Sequence, residues 1–373
     1  MNLEHKLAKI KAQGHFRELK PVERLEGKWL TMDGQRLLNF TSNDYLGIGQ
    51  APFSLNVTDE EHLAVFENLA SSRWVSGNAE IYEAIETTMC EHFSFEAALI
   101  TNSGYDANLA VFQAFQDESV VVFSDAENHA SLIDGIRLSR IDKEIYRHRD
   151  VQHLENLLAQ YPKSKTKIIV TDSVFSTNGG LADLQQLVQL KKHYPNTWLF
   201  VDDAHAFGLR LHPYYEDIDI LTTSLSKAVG AHGGAMLCSA LFKTVLINTA
   251  RALIYSSALP LFNLYRIQNN LSLMLKDTER SQKLQQLSES FNELYAEYTQ
   301  KCYPEMALSP IKQITFTDNT KAVKAQEQLS TQGILLSLFR YPTVQQPILR
   351  ISLSWLHHKH DIERLFEVME KNQ

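Results

Sequence analysis

Cysteine is scarce in this chain of 373 residues: Cys90, Cys238 and Cys302 are odd in number and far apart. That excludes a disulfide framework and a cysteine zinc site. It suits a reducing compartment, with each thiol read as a small buried apolar group. Basic charge is also short. A net charge of -8 offers no positive field, so nucleic acid is excluded as a partner. No apolar run approaches the roughly 20 residues that cross a bilayer. Met1 to Lys11 alternates charged and apolar residues and lacks a signal-peptide core, so a cytoplasmic setting is expected. There is no low-complexity stretch, internal repeat, dinucleotide fingerprint or P-loop. His357, His358 and His360 complete no known ligand set and read as a solvated helix start; no metal is expected.

What is present is an alternation of strand-like and helix-like segments. Apolar runs occur at Ala97–Thr101, Val120–Phe123, Lys167–Thr171, Trp198–Val201, Ile218–Thr222 and Ala235–Cys238. Helical patterns separate several of them: Asp106–Gln116, Ser131–Arg140, Gln152–Gln160 and Leu184–His193. Near-continuous apolar strands between helices indicate a mostly parallel sheet covered on both faces, hence an α/β fold. After Pro260 the pattern changes to one long helical region, 261–299. Strand-like Lys312–Phe316, Ile334–Leu338 and Ile348–Leu353 follow, with a helix at 320–332 and a last one from 359. The expected division is an N-terminal helix and hairpin arm (1–45), a large α/β domain (46–260) and a small α+β domain (261–373). The arm's hairpin turns at Asp33-Gly34.

Ligands of such sheets bind at the carboxyl ends of strands. Lys227 lies just past one, in Thr223-Ser-Leu-Ser-Lys-Ala-Val-Gly230, among small residues that let a bulky ligand approach. A desolvated lysine can lose its proton and form an imine. Asp202 ends Trp198-Leu-Phe-Val-Asp, where a carboxylate needs a partner. A pyridinium nitrogen would be one; a helix cap or a structural salt bridge is the alternative, and Asp203 could be the cap instead. An imine-forming lysine with a ring-holding aspartate is the minimum apparatus of pyridoxal phosphate chemistry.

Other candidates surround them. His129, past another strand, could stack on a flat ring and move protons, or simply begin a helix. His205 could donate to a ring hydroxyl or a substrate carbonyl, or be structural. Ser103-Gly104-Tyr105 opens a helix, a seat for phosphate, though many helices begin that way. Ser224 could add a hydroxyl contact. Arg350, inside the apolar run Ile348-Leu-Arg-Ile-Ser-Leu353, needs an anion: an amino-acid carboxylate or a salt bridge between lobes.

Nine segments in order resemble the α-oxoamine synthases, a branch of the fold-type-I, aspartate-aminotransferase-like pyridoxal phosphate enzymes. They are Asn39–Gly47, Val75–Gly77, Thr101–Tyr105, Asn128–Leu132, Thr171–Ser176, Val201–His205, Ser224–Gly230, Arg251–Pro260 and Leu349–Leu353. The resemblance implies a homodimer with shared sites that condenses an amino acid with an acyl thioester, with loss of carbon dioxide. The compact length and Leu253–Pro260 favour the branch that uses L-alanine and a pimeloyl group on coenzyme A (acyl-CoA) or acyl carrier protein, in biotin synthesis. Alternatives are branches that use glycine, serine or longer acyl chains, and a catalytically silent binding subunit.

The resemblance also assigns roles. Lys227 would be the imine lysine and base, Asp202 the partner of the ring nitrogen, and His205 that of the ring hydroxyl. His129 would stack on the ring, and Ser176 would lie near the hydroxyl or the substrate carboxylate. Gly104, Tyr105 and Ser224 would hold phosphate, with Ser256 or Ser257 reaching that of a partner subunit. Asn43 and Arg350 would orient the substrate carboxylate, and Arg17 and Thr343 would touch substrate. The chain departs from the family in four places. Leu69–Arg73 replaces a glycine-rich run, a histidine common in the family near Tyr82 is missing, the segment after Gly208 is short, and Ser226 replaces a glycine.

Overall fold

The structure, a computed structural model, describes residues 2–13, 15–53, 69–116, 119–299, 306–341 and 343–371. Cys302 lies outside the described residues. The chain divides into two compact units: residues 46–176 with 180–282, and residues 1–45 with 177–179 and 283–373.

The larger unit is built on a seven-stranded sheet. In chain order its strands are β4 (Ala97–Thr101), β5 (Val120–Asp125), β6 (Asp142–Tyr146), β7 (Thr166–Asp172), β8 (Thr197–Asp202), β9 (Ile220–Ser224) and β10 (Gly234–Cys238). Their spatial order is β4-β10-β9-β8-β7-β5-β6. Only β10 runs antiparallel to its neighbours. The apolar runs are strands because both faces are covered. Phe112 and Val111 of helix Gly104–Ala114 pack with Val122, Ile168, Phe200 and Met236, all buried. The parallel strands end in Asp125, Asp172, Asp202 and Ser224, so the carboxyl edge of the sheet carries the polar groups.

Strand β6, Asp-Lys-Glu-Ile-Tyr, has no apolar run and was not expected. It is an edge strand whose charged residues face solvent, a usual protection of an open edge. The long helical region is two helices, Leu261–Lys276 and Thr278–Thr299. Asp277 breaks it: its carboxylate accepts from the Glu279 and Arg280 amides and so caps the second helix. The first of the two packs with the large unit, whose boundary falls at Gln282. Cys238 is buried and its thiol is pushed up to about 12 by that burial, whereas Cys90 is only half-buried.

In the smaller unit, β1 (Arg24–Glu26), β2 (Trp29–Met32) and β3 (Gln35–Asn39) form a meander joined by β12 (Ile334–Leu335). Asp33 (φ 53°) and Gly34 (φ 71°) make the tight turn, as a two-residue hairpin requires. A second, antiparallel sheet has the order β11 (Ile311–Thr315), β14 (Ile348–Ser352), β13 (Ser337–Phe339).

The histidine cluster departs from the solvated reading at one position. His357 is 1% exposed. Its Nδ1 accepts from the Ser354 amide, its Nε2 lies 3.1 Å from the Asn39 carbonyl, and its ring stacks on Phe40. His358 and His360 are exposed. With Asp361 they bring ligand atoms within 4.8 Å of one another, but the Lys28 ammonium sits 2.6 Å from that carboxylate and already neutralises it. Burial pushes the His357 imidazole down to about 4 from 6.5. Between those values the unfolded chain binds the extra proton, so stability is complete above pH 6.5 and lost as pH falls through 4. His357→Asn is expected to flatten that window relative to the parent by up to about 3 kcal/mol, read from urea midpoints at successive pH values. Parallel profiles would contradict the assignment.

Candidate active site

Strands β8 and β9 deliver the two central residues. Asp202 is the last residue of β8, opposite Asp172 on β7 and Thr222 on β9. Lys227 lies in the turn after β9, half-buried, with Nζ 2.8 Å from His205 Nε2. The turn is tight because the backbone closes on itself: Leu225 N to Gly233 O (2.9 Å), Ala231 N to Leu225 O (3.0 Å) and Gly230 N to Lys227 O (2.9 Å). Gly230 has φ +66°, and a Cβ there would fall 2.3 Å from the Gly49 nitrogen, so no other residue fits. The Asn270 amide pins the same turn through the Val229 carbonyl, at 2.9 Å.

His129 ends the loop after β5. Its backbone N–H donates to Asp172 (2.8 Å). Burial holds its imidazole below the usual range, the Asp202 charge opposes that shift, and the Lys227 charge adds to it. One ring therefore feels both the acid and the lysine. Asp172 is held well above the usual carboxylate range, first by burial and then by the Asp202 charge. Asp202 is itself fixed: Oδ1 accepts from the Ala204 amide (3.0 Å) and Oδ2 from the Asn108 side chain (2.6 Å). Asp203, fully buried, does not cap a helix. It accepts from Tyr215 (3.0 Å) and lies 2.8 Å from His212 Nε2.

A cradle of small residues lies beside this group. Gly104 opens its helix against Ser224: a Cβ on Gly104 would meet the Ser224 Cβ at 2.9 Å. A Cβ on Gly234 would lie 2.2 Å from the Ser103 carbonyl oxygen. First-turn amides have no acceptor within their helix, and Ser103 Oγ takes that of Asp106. The Gly104 and Tyr105 amides and the Ser224 hydroxyl therefore frame a seat for an anion. The Tyr105 phenol points elsewhere and donates to Asp134. Ser176 is half-buried, in the turn closed by the Val174–Leu181 bridge. Asn102 donates to the Ser257 carbonyl (2.8 Å) and the Ser256 hydroxyl (3.2 Å), tying that segment to the mouth of the cradle.

In the smaller unit Arg350 is 5% exposed. Its Nη2 donates to Asn43 Oδ1 (3.0 Å), and its buried Nε has no hydrogen-bond partner. No carboxylate pairs with it among the described residues. A buried guanidinium held only by neutral groups is suited to an incoming anion. Arg17 and Thr343, 326 positions apart, meet through an Nη2–Oγ1 contact of 3.4 Å on the surface.

The departures at Leu69–Arg73 and Tyr82 explain one another. Arg73 opens a single π turn, Arg73–Gly77. Its guanidinium lies 3.9 Å from the Tyr82 ring centroid and bonds Glu86 (2.7 Å) and the Ile100 carbonyl (2.8 Å). A histidine at 82 would offer that cation no comparable face. The segment is stitched to 257–259 by the Ser72–Ser257 bridge and by Ala258 N to Ser71 O.

Sequence reasoning passed over Asn108, Ser131, Asp172 and Thr222. Asn108 carried a usable signal: it follows the buried Ala107 inside an otherwise apolar stripe, where an amide needs a partner.

The fold places the protein among the fold-type-I transferases, and comparison with known proteins agrees. A profile of the family described as "Aminotransferase class I and II" matches residues 35–369. A Thermodesulfovibrio yellowstonii protein named "Putative 8-amino-7-oxononanoate synthase" is 34% identical over 97% of this chain and 95% of its own. One of the same name from Neisseria meningitidis is 37% identical over 94% of each. Among solved structures, 8-amino-7-oxononanoate synthase of Francisella tularensis superposes with TM-score 0.76 at 28% identity, over 90% of this chain and 97% of that one. Serine palmitoyltransferase of Sphingomonas wittichii reaches 0.88 at 23% identity, covering 99% and 96%, a likeness of fold. The chain belongs to the aminotransferase class I and II family, and within it to the α-oxoamine synthases, enzymes of acyl transfer. No helix among the described residues is long and apolar enough to cross a membrane.

Proposed function

We propose that this enzyme binds pyridoxal 5'-phosphate and joins L-alanine to a pimeloyl thioester, on coenzyme A or acyl carrier protein. The products are 8-amino-7-oxononanoate, carbon dioxide and the free thiol. A carbon–carbon bond forms between the alanine α-carbon and the acyl carbonyl carbon; the alanine carboxylate and the thiol depart. The observation that carries the reading is the placement of Lys227, its Nζ 2.8 Å from His205 Nε2, in the turn after β9, the strand that pairs with β8 and its terminal Asp202 at the carboxyl edge of the sheet. The relatives' shared name, at 34% and 37% identity along nearly the whole chain, supports the choice of substrates.

The donor set suits the cofactor: an acid for a ring nitrogen, an imidazole for a ring face, an amine for an aldehyde and a helix terminus for a phosphate. When bound, pyridoxal phosphate supplies an electron-withdrawing ring that stabilises negative charge at the amino-acid α-carbon. The protein's residues do the rest. Lys227 Nζ would hold the aldehyde end of the cofactor and would carry the α-proton of the amino acid. Asp202 keeps the ring nitrogen protonated by offering an anion in a buried setting. His205 would donate to the ring hydroxyl, and Ser176 would lie near that hydroxyl or the substrate carboxylate. Gly104, Tyr105 and Ser224 hold the phosphate. Arg350 and Asn43 would receive the substrate carboxylate, and Arg17 and Thr343 would touch substrate.

A second copy of the chain completes the enzyme in this reading. Trp74 and Val75 are 63% and 68% exposed, and Tyr255 is 73% exposed; the segments carrying them are joined by the Ser72–Ser257 bridge. A water-facing apolar cluster of this kind suits a partner subunit. The deciding experiment is a mass-spectrometric product assay pairing alanine, glycine, serine and threonine with pimeloyl, acetyl, succinyl and palmitoyl thioesters. The aminoketone from alanine and pimeloyl thioester is expected to dominate. A preference for another pair reassigns the branch; no product and no α-proton exchange from any amino acid overturns the enzyme.

A further inference from the structure

Behind His129 and Asp202 lies a chain of buried polar side chains to which the reaction gives no role. Thr222 Oγ1 is 2.6 Å from Asn108 Oδ1. Asn108 Nδ2 is 2.6 Å from Asp202 Oδ2 and 2.8 Å from Ser131 Oγ. Ser131 Oγ is 2.7 Å from His129 Nδ1, and the Ser131 backbone N–H points at the same nitrogen, at 3.3 Å. Asn108, Ser131 and Thr222 are all at most 1% exposed, so no solvent intervenes.

The direction of every proton in this chain can be worked out. A carboxylate only accepts, so the amide nitrogen of Asn108, not its oxygen, faces Asp202. Its second hydrogen goes to the Ser131 oxygen, and its carbonyl accepts from Thr222. With one lone pair so used, the Ser131 hydroxyl hydrogen turns to His129 Nδ1. The backbone N–H of Ser131 cannot reverse its role at all, so Nδ1 must present a lone pair. A neutral imidazole whose Nδ1 is bare carries its hydrogen on Nε2.

We propose that Asn108, Ser131 and Thr222 are positioning residues that lock His129 as the Nε2–H tautomer, so that it serves the condensation as a hydrogen-bond donor and not as a base. The donor role rests on the function proposed above; the tautomer does not. A fixed N–H stabilises negative charge as it develops on a substrate oxygen, with no reorganisation at the moment of reaction. Because the same Asn108 amide also holds Asp202, acid and donor are set by one side chain. Asp172 from β7 accepts from the His129 backbone N–H, while the charged groups acting on the ring are Asp202 from β8 and Lys227 from the turn after β9. Burial and Lys227 lower its affinity for a second proton, consistent with a neutral ring.

The test uses the full chain with 15N-labelled histidine, before and after addition of pyridoxal phosphate; His129→Gln identifies the ring's signals. At neutral pH the parent is expected to show Nδ1 unprotonated and Nε2 protonated in both states. In Ser131→Ala the neutral ring loses a donor, so its titration midpoint should rise by about half to one pH unit. Ser131→Thr, which keeps the hydroxyl, should restore the parent midpoint. A protonated Nδ1 in the parent, or the same midpoint in Ser131→Ala, overturns the proposal. Failure to take up pyridoxal phosphate with the tautomer intact sinks the functional reading and leaves the tautomer assignment confirmed.

Discussion

Lys227→Ala is expected to lower turnover by at least about a thousandfold, since it removes both the covalent anchor and the proton carrier. In the proposed reading the visible absorbance of the lysine imine should vanish with it, while the residues assigned to phosphate, ring nitrogen and ring face are left unchanged. The variant should therefore bind pyridoxal phosphate without the imine band. An added primary amine should recover part of the proton transfer, because truncation at residue 227 leaves space for an amine at the vacated Nζ position. Persistence of the imine band, or turnover within tenfold of the parent, would falsify the assignment of Lys227.

Asp202→Asn carries the second large effect. The substitution keeps the shape and removes the charge that would hold the ring nitrogen protonated. Turnover should fall by about a hundredfold to ten-thousandfold, a loss of roughly 3–5 kcal/mol of the kind seen when one member of a buried ion pair is removed. Two neighbours sharpen the prediction. Asn108 already donates to this carboxylate, and an amide in its place can still accept from it through its oxygen; its NH2 then faces the Ala204 N–H and forfeits that one bond, so the fold should survive with reduced stability. Asp172 is raised in part by the Asp202 charge, so its carboxyl should move down once that charge is gone, although burial continues to hold it up. A pH–rate profile with a displaced limb and a reduced plateau is expected. A plateau within threefold of the parent would mean that Asp202 is structural.

Much of this arrangement could be read before any coordinates, for reasons that differ by element. Strands β7 and β8 were plain because burial on both faces leaves them almost wholly apolar, and their terminal acids stood out against that background. Strand β6 was hidden because an edge strand gains from charge where an inner strand gains from hydrophobicity. The break at Asp277 was hidden because the apolar period runs on through a residue whose capping role is visible only in its hydrogen bonds. Lys227, Asp202, His129 and His205 were legible as residue types at strand ends, and the structure brings the last three and the lysine into one electrostatic neighbourhood. Asn108, Ser131 and Thr222 were not, because neutral amides and hydroxyls carry no positional signature until their partners are known. Three histidines close together suggested solvent, whereas His357 was drawn inward by Phe40 and the Asn39 carbonyl.

The cradle of small residues at the start of helix Gly104–Ala114 has a consequence for how such an enzyme can fail. Gly104, Ser224 and Gly234 meet at distances that leave no room for one more carbon, and the contacts they offer come mainly from the peptide chain itself. Truncating side chains one by one would pass over this region almost silently, since there is little to cut away. Damage comes instead from added bulk: a single methyl at residue 234 would have to push the Ser103 carbonyl aside and swing the helix start out of line. A region that a loss-of-contact survey would rank among the tolerant is thus one of the least forgiving, and inherited variation there should be restricted by size rather than by chemistry.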